Sequence, residues 1–167
     1  IPSPQNFSLM ENFPELRKTL VTSSYDSCIA LMFSFDETPI NIPIYFDFNK
    51  KRGILSWMAC GSNLNVWTAH TKGSYANKNL NQNKDQLKKE ILLAIQMVFS
   101  KFQNSLDINV HSLHIWKYAR VKKISNGMQI DPVFPVAVAG DFMEGSNVES
   151  AFISGEKAAD LIFNRLN

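Results

Sequence analysis

The sequence predicts an α+β fold in which a mixed, mainly antiparallel sheet is covered by helices. Three observations lead there. Runs of apolar, β-branched and aromatic residues recur between Tyr25 and His70, separated by turn residues. The stripe Leu87, Ile91, Ile95, Val98, Phe99 and Phe102 repeats every three or four positions, as on a long amphipathic helix. From Val133 onward an apolar run stops at Gly140-Asp141 and gives way to a second helical pattern starting at Asn147.

Taken in order, Pro2 and Pro4 hold the entry extended, and Gln5 to Ser24 reads as two short helices. Pro14 suits the first turn of the second helix, where its missing N–H is not needed. Cys28 to Phe35 is a buried strand, Thr38-Pro39 a turn, and Ile42 to Phe48 an alternating strand that Pro43 places at an edge. Ile54 to Cys60 and Asn65 to His70 form a hairpin across Gly61-Ser-Asn. Lys72 to Asn83 is a polar loop or short helix. Asn109 to Arg120 is the next strand, and Ser125-Asn-Gly127 a turn.

The closing segment predicts strand Val133–Ala139, a glycine and a carboxylate, then a helix capped by Asn147 with Glu149 in its first turn. Its apolar positions are Val148, Ala151, Phe152, Gly155, Ala158, Ala159, Ile162 and Leu166. Such a strand–turn–helix offers a helix N-terminus to an anionic or electron-rich group, as in α/β cofactor sites. The same arrangement also serves as an ordinary sheet edge.

A chain of 167 residues with 45% apolar content forms one domain of ordinary size with a core. A net charge of +2 and a pI near 8.5 give no footprint for nucleic acid. Lys117, Arg120, Lys122 and Lys123 form a basic concentration, read as a solvated strand end. Apolar stretches are broken well short of a membrane span. Cys28 and Cys60 sit in apolar runs and read as buried thiols of a reducing, cytoplasmic compartment. His111 and His114, three apart on a strand, should leave opposite faces and cannot share a metal ion. No metal site and no catalytic acid, base or nucleophile stands out.

The run Ala139-Gly-Asp, followed by Val148-Glu-Ser-Ala-Phe-Ile-Ser-Gly-Glu-Lys-Ala-Ala, resembles the C-terminal flavin-binding signature of FAD-dependent amine oxidases. It is most similar to that of the renalase-like NAD/FAD-dependent oxidoreductases. Ile1-Pro-Ser-Pro-Gln, Trp57, Trp67-Thr-Ala-His70 and His114-Ile-Trp-Lys-Tyr-Ala119 resemble segments of the second half of such chains, in the same order. The resemblance implies FAD as cofactor and divides the chain into residues 1–120, similar to a substrate domain, and residues 121–167, the last strand and helix of an FAD domain.

By the same resemblance, Gly140, Asp141, Phe142, Asn147, Val148 and Glu149 lie at the cofactor, and His70, His114, Trp116 and Tyr118 shape a substrate pocket. The chain departs from the family pattern at Ser150, where Gly is usual, and at Phe142, where Trp is frequent. The family's Gly-x-Gly-x-x-Gly turn for the FAD pyrophosphate is not among the seven glycines. The expectation is therefore an inactive portion that needs an N-terminal dinucleotide-binding half, or self-association, and acts on a small molecule such as an amine or a nicotinamide dinucleotide. The alternative is a non-catalytic remnant that binds another polypeptide.

Overall fold

The computed structural model describes residues 2–37, 41–102 and 107–167. The α+β prediction holds. Five strands, β1 (Ser24–Phe35), β2 (Tyr45–Asp47), β3 (Leu55–Cys60), β4 (Val66–Thr71) and β5 (Ile108–Lys123), form one sheet in the order β2-β3-β4-β1-β5. The pairs β2–β3, β3–β4 and β4–β1 are antiparallel. Contacts of Ser34 with His111 and of Met32 with Ser112 run in opposite directions along β1 and β5, so this pair is antiparallel too. The Thr38-Pro39 turn lies outside the described residues.

The chain divides into two compact units. One comprises residues 27–117; the other joins residues 1–26 to residues 118–167. A partition at residue 120 does not express the grouping of the N-terminal helices with the C-terminal segment.

In the unit of residues 27–117, helix α4 (Lys84–Phe99) follows the short helix α3 (Gly73–Ala76). Asn83 caps α4, its side-chain oxygen accepting from the N–H of Asp85 at 2.8 Å. Leu87, Ile91, Ile95 and Phe99 are fully or almost fully buried, in one cluster with Ile29, Leu31, Phe33 and Phe35 of β1 and Met58 of β3. Each such side chain withdrawn from water contributes roughly 1.5–3 kcal/mol. Phe99 packs edge-on against Phe35 (4.8 Å between centroids) and Trp67 (5.2 Å). The Trp67 indole N–H donates to the Leu64 carbonyl at 2.8 Å, so its one polar atom is satisfied inside the cluster.

Behind the start of α4, the Glu90 carboxylate accepts from Tyr75 (2.6 Å), Gln82 (3.0 Å) and Gln86 (3.0 Å). These donors, the Tyr75 hydroxyl first, hold Glu90 below the usual glutamate range. Burial, and then the Glu90 carboxylate, push the Tyr75 phenol far above its ordinary value.

In the other unit, α1 (Ser3–Asn6) and a 3-10 turn (Ser8–Met10) precede α2 (Pro14–Thr22), with Pro14 at the first helical position. Leu16 and Leu20 pack with Val121, Val138 and Phe142. The Ser125-Asn-Gly turn lies on α2: the Ser125 hydroxyl donates to the Thr19 carbonyl (2.8 Å), and the Thr19 hydroxyl to the Met128 carbonyl (2.7 Å). A Cβ on Gly127 would stand 2.7 Å from the Thr19 Cα, which explains the glycine. Helix α5 (Asp141–Glu144) and helix α6 (Val148–Leu166) close the chain.

The predicted strand Val133–Ala139 does not form. A single bridge, Ile130 to Ala137, stands in its place. The Asp131 carboxylate accepts from the N–H groups of Val133 and Phe134, both at 2.9 Å, and turns the chain there. Pro132 and Pro135 have no N–H to donate to a ladder. Apolar composition was read as a strand, but the segment's backbone bonds are local.

Gly127→Ala should lower stability by about 1–3 kcal/mol, because the added methyl meets the Thr19 hydroxyl and, behind it, the helix backbone at the Thr19 Cα; urea unfolding measures it. For Glu90, folded below its unfolded value, the contribution is present above the ordinary glutamate range and is lost as pH falls through it. For Tyr75, folded above its unfolded value, the contribution is lost as pH rises beyond about 10. Glu90→Gln should flatten the acid limb of a Tm-against-pH curve.

Candidate functional site

α4 covers one face of the sheet, and the opposite face carries the candidate site. In the unit of residues 27–117, side chains pointing away from the α4 cluster include Met32 and Ser34 of β1, Tyr45 of β2, Trp57 and Ala59 of β3, and Thr68 and His70 of β4. Pairing brings Tyr45 beside Ala59, Ala59 beside Thr68 and Thr68 beside Met32. A second row runs Trp57, His70, Ala30. The small side chains of Ala30, Ala59 and Thr68 make a low floor. Trp57 stacks with Tyr45 at 6.4 Å and meets the His70 ring at 4.2 Å, making one wall.

β5 supplies further groups. Val110, Leu113 and Ile115 pack against the core, so His111 and Ser112 both point away from it. The strand holds one residue more than strict alternation allows, a β-bulge, and His114 and Trp116 then follow on the open face. This corrects the expectation for the two histidines, which share a face. The His111 ring lies 2.8 Å from the Ser34 hydroxyl, and the His114 ring 4.3 Å from Trp116. No group of three metal-ligating side chains occurs among the described residues.

A second bulge sits on β3. The register shifts between Leu55 and Trp57, and the spare residue, Ser56, turns its hydroxyl onto the carbonyls of His70 (3.0 Å) and Thr71 (3.3 Å). Both bulges therefore adjoin an aromatic–histidine pair on the open face. Bulges re-aim side chains and are over-represented beside active sites.

Of the four residues expected in a substrate pocket, His70, His114 and Trp116 belong to this face. Tyr118 falls in the other unit, where its ring meets Tyr25 at 5.8 Å. Tyr45, Met32 and the Trp57–His70 pairing were missed. The missing signal was hairpin register: Val66 donates to the Asn63 carbonyl and accepts from Gly61 N–H, so the turn extends to Val66 and places Trp57 opposite His70.

The residues expected at a flavin lie in the other unit. Gly140 is tightly packed: a Cβ there would stand 2.5 Å from the Phe142 ring, and its N–H donates to the Ser154 hydroxyl at 3.1 Å. Phe142 is fully buried, so its ring serves the core. Asp141 opens α5, and Asn147 caps α6 by accepting from Ser150 N–H at 2.7 Å. Among the described residues no acceptor meets the N–H groups of Val148 and Glu149 in the first turn. Val148 is 87% exposed and Glu149 is also exposed, so this end of α6 is open to an electron-rich group.

α6 has two apolar flanks. Ala158 is buried and Ala151 and Ile162 half-buried, on the same side as the buried Ser154. Val148, Phe152, Phe163 and Leu166 form the other flank and are exposed.

No protein-family model matches the chain. Among solved structures it is similar to an oxidoreductase from Methanosarcina mazei, with a TM-score of 0.56 and 14% sequence identity. The match covers 90% of this chain and 38% of that one, so the chain spans well under half of its structural neighbour. At this identity the likeness establishes the fold. The molecule is an α+β protein with the fold of part of an oxidoreductase. No helix among the described residues is long and apolar enough to cross a membrane.

Asn147→Ala should cost about 1 kcal/mol by removing the α6 cap. Asn147→Asp should recover most of that loss, and chemical denaturation compares the two.

Proposed function

We propose that this chain forms the substrate-side part of a flavin-dependent oxidoreductase of the amine oxidase or renalase-like kind. The observation that carries the reading is the uncovered sheet face, with a small-residue floor beside aromatic and histidine side chains, on a fold shared with an oxidoreductase. Tyr45 and Trp57 offer π faces to a flat or cationic apolar body, which suits an amine or a nicotinamide ring. His114, against Trp116, offers ring nitrogens for orienting hydrogen bonds, and the His70 ring lies against Trp57.

FAD, when bound, supplies the hydride-accepting chemistry. The residues of this chain that would meet it are Asp141 and the exposed first turn of α6 at Asn147, Val148 and Glu149; Gly140 is tied to α6 through Ser154, and Phe142 serves the core. The FAD pyrophosphate is assigned to a Gly-rich dinucleotide-binding segment supplied by other sequence, because these 167 residues hold none.

A second reading, a non-catalytic half that binds another polypeptide, is favoured by the exposed flank of α6. Val148, Phe152, Phe163 and Leu166 form an apolar surface of the kind that marks interaction sites.

Visible absorption with added FAD, alone and with a dinucleotide-binding half from a renalase-like protein, tests both readings. A flavin band appearing only with both polypeptides supports the oxidoreductase. A stable complex that stays colourless supports the polypeptide binder. If no complex forms and no flavin is taken up, the oxidoreductase reading fails.

A further inference from the structure

On the α4 side of the sheet, away from the open face, a groove of about 330 Å³ lies between the β2–β3 turn and the C-terminal half of α4. That volume is at the small end of the roughly 300–1,000 Å³ usual for ligand pockets. Its apolar walls include Phe46, Phe48, Ile54, Ala94, Met97 and Phe102. Met97 is 65% exposed, so the apolar wall is open to solvent along this side.

The polar groups of this groove share one sign. Lys51, Arg52 and Lys101 line it, and among the described residues no carboxylate does. None of the three belongs to an ion pair among the described residues. Lys72 adds a fourth positive charge, its ammonium donating to the Lys51 carbonyl. The nearest acid in sequence, Asp47, alternates with Phe46 and Phe48, so it leaves the other face of β2 and accepts from Asn49 N–H at 2.8 Å. Lys51 holds its ammonium 5.5 Å over the Phe48 ring, at the junction of apolar wall and charged rim.

An apolar slot rimmed by cations matches one ligand chemistry. The geometry points to a binding site for a free amphipathic carboxylate of medium chain length, its alkyl body against Phe46, Ala94 and Met97 and its head between Lys51, Arg52 and Lys101. The site lies within the unit of residues 27–117 and does not depend on the flavin reading.

Isothermal titration of the full chain with octanoate tests it, with 1-octanol and acetate as probes of tail alone and head alone. Octanoate should bind at least about tenfold more tightly than either, the margin expected of one charge-assisted hydrogen bond. Lys51→Glu and Lys101→Glu should each weaken octanoate about tenfold and leave octanol unchanged. Raising salt on the unaltered chain should weaken octanoate alone, which keeps the test decisive if a variant fails to fold. Octanol binding as tightly as octanoate, salt-independent octanoate binding, or NMR shifts that spare Ala94 and Met97 would each overturn the site.

Discussion

The fold of residues 27–117 depends on one packing contact: the α4 stripe of Leu87, Ile91, Ile95 and Phe99 against the face of the sheet that carries Phe33, Phe35 and Trp67. A sheet needs one apolar face buried to be stable, and this one has it. The consequence is a division of labour. With stability supplied from the α4 side, the residues of the other face are free of the core, and the chain places Tyr45, Trp57, His70, His114 and Trp116 there. The cationic groove lies along the C-terminal half of the covering helix, from Ala94 to Phe102, just beyond its end.

The unit of residues 1–26 and 118–167 is held differently. Leu16, Leu20, Val121, Val138 and Phe142 make a smaller cluster. Much of the definition comes from hydroxyls, with Thr19, Thr22 and Ser125 tying α2 to the turn after β5 and Ser154 tying α6 to Gly140 and Gln129. Hydroxyls that reach backbone groups fix position at modest net energy each. α6 is therefore well placed along one flank while the other meets water.

Helices and buried strands were legible because their periodicities are physical. Asn147 reads as a cap and acts as one, and the α4 stripe is buried at Leu87, Ile91, Ile95 and Phe99 while Phe102 stays exposed. The Val133–Ala139 strand was misread because β propensity reports what suits a half-buried pleat, and this segment has no neighbouring strand beyond one bridge. Site residues were legible as types and not as an arrangement. His70 and Trp116 could be picked out as unusual, but their grouping with Tyr45 and Trp57 follows from cross-strand register. The shared face of His111 and His114 follows from a bulge that composition does not announce.

Those bulges have a consequence for how this chain can change length. Within a strand, losing one residue ordinarily turns every later side chain to the wrong face. At Ser56, and at either His111 or Ser112, the strand already holds a spare residue. Removing it would restore simple alternation, with Leu55 and Met58, or Val110 and Leu113, still facing the core. Single-residue deletions, normally confined to loops, thus have two places inside this sheet where the core would survive them. What would change is local: Trp57 would stay opposite His70 and only the Ser56 hydroxyl contacts would go, while on β5 one of the two outward side chains, His111 or Ser112, would be lost. The open face can in this way lose a side chain by deletion while the helix-covered face stays as it is.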